Sequence, residues 1–112
     1  MIRFNILHYI YKKAKLIQMA NLFVTMKVKD FDHWYQGFKG HVDVRSQWCD
    51  ESRTKVYQTP EDHNDISITL YDVDMEALQK MISSPEFQAM AEELGEISDT
   101  KRIHSFSEMG EG

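Results

Sequence analysis

Two hydrophobic periods alternate along this chain, and their order is the feature that most constrains its fold. Period-two alternation or β-rich composition indicates strands, and it occurs in residues 22–28, 54–59, 66–71 and 100–108. Residues 31–48 and 74–94 instead repeat apolar side chains at steps of three and four, which is typical of amphipathic helices. Asp30 and Asp74 stand where they can cap these helices, and Gly95 ends the second. Within the second, Ser83-Ser84-Pro85-Glu86 indicates a helix restart, in which serine caps and proline takes the first helical position. The predicted order is therefore β-α-β-β-α-β.

That order predicts an α+β fold with ferredoxin-like topology, in which two helices cover one face of a four-stranded antiparallel sheet. The aliphatic strand residues should face the helices: Leu22, Val24, Met26, Val28, Val56, Ile66, Ile68 and Leu70. The opposite face, called the open face below, should carry Phe23, Thr25, Lys27, Tyr57, Ser67, Thr69 and Tyr71. The last strand adds either His104 with Phe106, or Ile103. Such a mixture is typical of a wet cavity or a partner interface.

Residues 1–18 differ in composition from the remainder of the chain. They hold four bases and no acid, so the remaining nine bases and eighteen acids carry a net charge of −9. Three interpretations stay open: a leader or extension upstream of a true start at Met19, an ordered terminal helix, or a basic amphipathic helix on an anionic membrane. The segment lacks the features of a secretory signal or a membrane span. A single domain is predicted over residues 19–112.

Charge and cysteine content restrict the partners and the compartment. The whole chain of 112 residues has a net charge of −5, which argues against nucleic acid because a phosphate binder needs a basic face. Its one cysteine, Cys49, cannot form an intrachain disulfide, so a reducing, cytoplasmic setting is expected. Cys49 lies beside Asp50 and Glu51, which should raise its pKa and make it a poor nucleophile.

Five segments give the chain a resemblance to the dimeric α/β-barrel superfamily, over residues 20–108. They are LFVTMKV, DFDHWYQGFKGHVDVR, KVYQT, ISITLYDV and SSPEFQAM. The resemblance implies a homodimer whose two sheets face each other and enclose a lumen. The superfamily includes cofactor-free antibiotic-biosynthesis-type monooxygenases, cyclases, lactone isomerases, haem-degrading enzymes and stress-responsive barrels, so fold alone does not fix function. Haem degradation is disfavoured, since no predicted strand carries a tryptophan and the second helix has no histidine.

His104 and Tyr71 are the first catalytic candidates. If both face the lumen, they form an acid–base pair, because histidine titrates near neutrality and a tyrosine hydroxyl can hold or protonate an enolate. Tyr57, Lys27 and Phe23 would then bind the ligand from the same face. The alternative is that all five side chains only pack a dimer contact.

His41 and Arg45 lie one helical turn apart and therefore share a face of the first helix. They can act as a base or an anion clamp at a cavity mouth, or His41 can pack at the core margin while Arg45 pairs with Asp43 or Glu51. Histidine spacing fits no metal motif, and no cofactor motif is present, so neither a metal nor a cofactor is expected.

The sequence thus predicts a homodimeric barrel that binds a small molecule and performs cofactor-independent monooxygenase, cyclase or isomerase chemistry on an aromatic or polyketide-like carbonyl compound. The alternative is a non-enzymatic structural or stress-associated dimer without a ligand cavity. A ligand site would need a cavity of roughly 300 Å³ or more.

Overall fold

The computed structural model describes residues 19–107, and the predictions made for residues 1–18 lie outside this range. The strands are β1 (Met19–Val28), β2 (Lys55–Gln58), β3 (Asp65–Asp74) and β4 (Glu96–Phe106). The helices are α1 (Phe31–Gly40), α2 (Val42–Arg45), α3 (Met75–Ile82) and α4 (Pro85–Glu93), with a 3-10 turn at Glu51–Arg53. All strand pairs are antiparallel, in the order β2-β3-β1-β4. The predicted α+β ferredoxin-like fold is confirmed.

The core lies between the sheet and the helices, where the sequence predicts it. The aliphatic residues of β1 and β3 that were assigned to this side are buried, and Val56 of the edge strand β2 is partly buried. The Trp34 side chain of α1 is completely inaccessible to solvent, and Trp48 is buried after α2. Period-two alternation is a reliable guide here because both strands have one face covered by helices.

The sequence leaves open which side chains of β4 face the helices, and the pairing of β4 with β1 answers this. His104 lies opposite Phe23, and Ile103 lies opposite Val24. Directly paired residues of antiparallel strands point to the same side of the sheet. His104 therefore shares the open face with Phe23, while Ile103 faces the helices.

The boundaries differ most from the predicted ones at the first helix and at the last strand. The first helix is interrupted at His41, whose φ of −105° and ψ of 20° lie outside the helical region, so α1 and α2 replace one continuous helix. Gly40 precedes this break, and glycine lowers helix propensity by about 1 kcal/mol relative to alanine. Gly37 stays helical, and a Cβ there would overlap the Leu94 side chain. Strand β4 begins at Glu96, four residues before the predicted Thr100.

Helix capping agrees with prediction at two of three N-termini. Asp74 accepts a hydrogen bond from Ala77 N at 3.2 Å, and Ser84 accepts one from Phe87 N at 3.1 Å. Asp30, in contrast, makes no side-chain cap bond at α1. Its expected role is taken by Asn64, 33 residues away, whose Oδ1 accepts from Phe31 N at 2.9 Å. At the other end, Gly95 has φ +80°, the left-handed conformation that commonly terminates helices.

Candidate functional site

A cavity of about 910 Å³ lies between the sheet and the helices. Its wall is mostly apolar and includes residues of β1, β3 and the helices, among them Leu22, Leu70, Phe38, Met81, Phe87 and Met90. Ligand sites usually have volumes of about 300–1,000 Å³ and a predominantly hydrophobic wall with a few polar groups. This cavity is therefore large enough for a polycyclic organic molecule.

Arg45 lies in the cavity wall but is fully engaged by the protein. Its Nε donates to Glu51 Oε2 at 2.9 Å and one terminal nitrogen donates to Glu51 Oε1 at 3.0 Å. The other terminal nitrogen donates to the Phe38 carbonyl at 2.6 Å, and the guanidinium stacks 3.6 Å from the Phe38 ring centroid. With only 6% of its surface exposed, Arg45 holds α1, α2 and the following turn together. Of the two predicted pairings, the one with Glu51 is present.

His41 also lines the cavity, at the break between α1 and α2. Its Nδ1 lies 2.6 Å from the carbonyl oxygen of Gly37. A carbonyl only accepts, so Nδ1 must donate this hydrogen bond. The neutral ring then presents Nε2 as an acceptor. His41 is thus a cavity residue that can take a proton.

A buried carboxylate and a lysine form a second polar patch in the wall. Glu96 Oε2 accepts from the indole nitrogen of Trp34 at 3.0 Å, and Glu96 Oε1 accepts from Lys101 Nζ at 2.8 Å. Only 8% of the Glu96 side chain and 22% of the Lys101 side chain are exposed. The ammonium of Lys101 also lies 5.3 Å from the Phe87 ring centroid. The sequence pattern predicts no role for either Glu96 or Lys101.

The open-face candidates lie on the opposite side of the sheet from this cavity. His104 pairs with Phe23, and Phe23 pairs with Thr69 on the other side. His104 and strand β3, which carries Tyr71, are therefore two strand spacings apart, about 10 Å. The two predicted catalytic residues thus lie on strands that are separated by β1.

Tyr71 and its neighbours occupy one end of the open face. The Tyr71 ring contacts the Phe106 ring edge-on, with centroids 5.8 Å apart, and the Arg53 guanidinium lies 3.9 Å from the Tyr71 centroid. Tyr57 is 49% exposed on the edge strand β2. Lys27 is also exposed, and its backbone nitrogen donates to Thr100 Oγ1 at 2.9 Å. These side chains form a surface of aromatic rings and cations.

Metal ligands, membrane-spanning helices and the cysteine thiol are the remaining features of residues 19–107. Within that range, no three histidine, cysteine, aspartate or glutamate side chains gather into a group that could hold a metal ion. No helix there is long and apolar enough to cross a membrane.

Burial raises the pKa of the Cys49 thiol, and the Glu51 carboxylate raises it further, while a hydrogen bond with Thr54 acts in the opposite direction. Cys49 is therefore a protonated thiol at neutral pH.

Structural comparison finds several proteins of the same architecture. An antibiotic biosynthesis monooxygenase aligns with a TM-score of 0.60 and 12% identity, over 82% of this chain and 100% of that one. SnoaB, a cofactor-independent oxygenase from Streptomyces nogalater, aligns with a TM-score of 0.61 and 12% identity, over 84% of this chain and 96% of that one. A protein from Pseudomonas aeruginosa aligns with a TM-score of 0.56 and 12% identity, over 83% and 96%.

Sequence comparison, in contrast, finds no matching family model and no matching curated protein. At identities near 12% the alignments establish a common backbone arrangement rather than a common reaction. The chain shares the ferredoxin-like α+β fold of these solved structures.

Proposed function

We propose that this protein binds an aromatic or polyketide-like carbonyl compound in the cavity between sheet and helices, and transforms it without a cofactor. The observation that carries the proposal is the cavity of about 910 Å³, whose mostly apolar wall includes the polar residues His41, Glu96 and Lys101. The alternative, a non-enzymatic dimer, requires no such volume. The shared fold with a cofactor-independent oxygenase adds support for this kind of chemistry.

An oxygenase reaction of this class balances with dioxygen as the only co-reactant. A ring methylene group linked to a carbonyl through the fused aromatic rings loses a proton to form an extended enolate, which reacts with dioxygen. One oxygen atom becomes the new ketone oxygen, and the other leaves as water with the two methylene hydrogens. The carbon gives up four electrons and dioxygen accepts four. His41 is the proposed base, because Nε2 of its neutral ring is an acceptor in the cavity wall.

The test uses anthrone, a three-ring compound with one methylene group opposite its carbonyl. We expect the full-length protein to convert anthrone to anthraquinone, with one dioxygen consumed per molecule in an oxygen-electrode assay. His41→Gln should lower the rate by about a hundredfold or more. His63→Gln, at an exposed turn outside the cavity, is the matched control and should leave the rate unchanged. Binding of anthrone without any oxygen uptake would contradict the oxygenase reaction, and failure of anthrone to bind would favour the alternative.

A second part of the proposal concerns the open face. Phe23, Tyr57 and Phe106 expose 37%, 49% and 38% of their surfaces there, and exposed aromatic clusters are typical of interaction sites. We propose that two copies of the chain bury these faces against each other as a homodimer. In that arrangement His104 and Tyr71 lie at the interface, where a ligand that contacts both would have to bridge the two strand spacings, about 10 Å, between β4 and β3.

The proposed catalytic role of His104 and Tyr71 has its own test. If the lumen between the two sheets is a site, His104→Ala should abolish turnover while the dimer persists in size-exclusion chromatography. Unchanged ligand binding and turnover in His104→Ala would remove His104 from the mechanism and leave the helix-side cavity as the candidate site.

A further inference from the structure

We propose that the ligand of the helix-side cavity carries one anionic oxygen, and that Lys101 binds it. This inference rests on the proposed function, since it names the chemical class of molecule that occupies the same cavity. The class is an apolar ring compound with a single carboxylate, phenolate or enolate. Lys101 is then a residue that determines specificity, and Glu96 and Trp34 position it.

An irregularity in β4 brings the charged pair into the cavity wall. Lys27 of β1 pairs with Ile97, but Thr25, two residues earlier, pairs with Arg102. Regular pairing would place Asp99 there, so β4 contains three extra residues. In a regular strand, Glu96 and Lys101 would point to opposite faces because five positions separate them. The odd number of extra residues reverses the alternation, and both side chains point to the helix side.

The contacts of Glu96 leave Lys101 with unused donors. Each oxygen of the carboxylate has a partner, because Oε2 accepts from Trp34 and Oε1 accepts from Lys101. Trp34 is completely buried, so it fixes the carboxylate in place. The ammonium of Lys101 has three N–H donors, and its described hydrogen bond uses one of them. The others are available to a ligand oxygen in the cavity.

The other charged groups in the wall narrow the ligand class. Arg45 is occupied by Glu51 and the Phe38 carbonyl, so it has little capacity to bind an anion. Glu86 and Glu92 also line the cavity but are exposed, where solvent screens their charge. They would still oppose a second negative charge, and a monoanion is therefore favoured over a dianion.

Two dyes that differ by one anionic group test the proposal. The first, 8-anilinonaphthalene-1-sulfonate, carries a sulfonate, and N-phenyl-1-naphthylamine is the same ring system without it. Fluorescence titration of the full-length protein at low salt should show both dyes bound. Lys101→Met should lower the affinity for the sulfonate dye by about tenfold, because it removes one charge-assisted hydrogen bond. The same variant should leave the neutral dye unchanged.

Two further variants separate this effect from misfolding and from binding elsewhere. Glu96→Gln keeps an oxygen acceptor for Trp34 but removes the charge that offsets Lys101, so it should tighten the sulfonate dye several-fold. Lys55→Met removes an exposed lysine that pairs with Thr69 on the open face, and it should change the affinity for neither dye. Circular dichroism and thermal unfolding check that each variant folds. If Lys101→Met does not fold, the role of Lys101 is tested by whether Glu96→Gln raises or lowers the affinity for the sulfonate dye.

Each outcome bears on a different proposal. Tenfold weaker binding of the sulfonate dye alone, with the opposite change in Glu96→Gln, supports the role of Lys101. If neither Lys101→Met nor Glu96→Gln changes the affinity for either dye, that role is overturned while the cavity remains a ligand site. Failure of both dyes to bind the unaltered protein would overturn the ligand-binding function itself. Weaker dye binding in Lys55→Met would place the dye on the open face and also overturn the inference.

Discussion

Arg45 and Lys101 are both basic side chains in the cavity wall, yet their neighbours give them different roles. Arg45 is buried, stacked on Phe38 and held by both oxygens of Glu51, whose side chain is 19% exposed. Removal of one partner from such a pair leaves the other charge poorly solvated. Lys101 has one carboxylate partner and remains partly exposed. Arg45 therefore contributes to stability, whereas Lys101 is free to bind.

This difference predicts a large loss of stability for Arg45→Met. We expect the free energy of unfolding to fall by about 3 kcal/mol, since Glu51 loses its partner and Phe38 loses a stacked cation. Urea unfolding followed by tryptophan fluorescence measures it. Lys80→Met is the control, because the Lys80–Glu76 pair is exposed with 78% and 68% of the side chains accessible, and exposed pairs contribute little. Similar losses in both variants would contradict the structural role of Arg45.

Cys49 gives a second prediction, about pH. Burial raises the pKa of its thiol, so the folded state holds the proton more tightly than the unfolded state. The associated stability is complete below the unfolded pKa and is lost as the pH rises through the higher folded pKa. Alkylation by iodoacetamide, which needs the thiolate, should therefore rise at a higher pH in folded protein than in urea. Coincident pH profiles for the two states would show that the thiol is not perturbed.

Among the elements, α1 depends on a cap that comes from elsewhere in the chain. Asn64 Oδ1 accepts from Phe31 N, and Asn64 Nδ2 donates to the Lys29 carbonyl at 3.2 Å. Asn64→Ala should lower the free energy of unfolding by about 1–2 kcal/mol, as loss of an N-cap does. Asp30→Ala should cost less, because Asp30 makes no cap bond and retains only the interaction of its charge with the helix dipole. Thermal unfolding of the two variants compares them directly, and a larger loss in Asp30→Ala would contradict the assignment.

The same elements show how far the sequence determines the fold. Alternation was sufficient for β1 and β3 because helices cover one of their faces, and local residues identified the caps of α3 and α4. Alternation and local residues were insufficient for features that depend on contacts with distant segments of the chain. The α1 cap comes from Asn64, 33 positions away, and the facing of Glu96 and Lys101 depends on three extra residues in β4. A residue count cannot locate such an irregularity, so the second polar patch of the cavity was missed.

For the whole molecule, the proposed dimer must overcome electrostatic repulsion. Residues 19–112 carry a net charge of −9, so two copies repel each other at low salt. Association through the open face must therefore come mainly from burial of Phe23, Tyr57 and Phe106, each at least 37% exposed in one chain. Added salt screens the repulsion without weakening apolar contacts. The proposed dimer should consequently tighten as salt increases.

Phe23 is the residue with which to test this interface, because it lies on the open face between His104 and Thr69. We expect sedimentation velocity of the full-length protein to show a dimer, and Phe23→Asp to shift it to monomer. Val42→Asp is the matched control: Val42 is 39% exposed, against 37% for Phe23, but lies at the start of α2. An aspartate is tolerated in the first turn of a helix, so Val42→Asp should remain dimeric. A monomer in the unaltered protein at every salt concentration would instead leave His104 and Tyr71 on a solvent-facing surface, and the helix-side cavity would be the candidate site that remains.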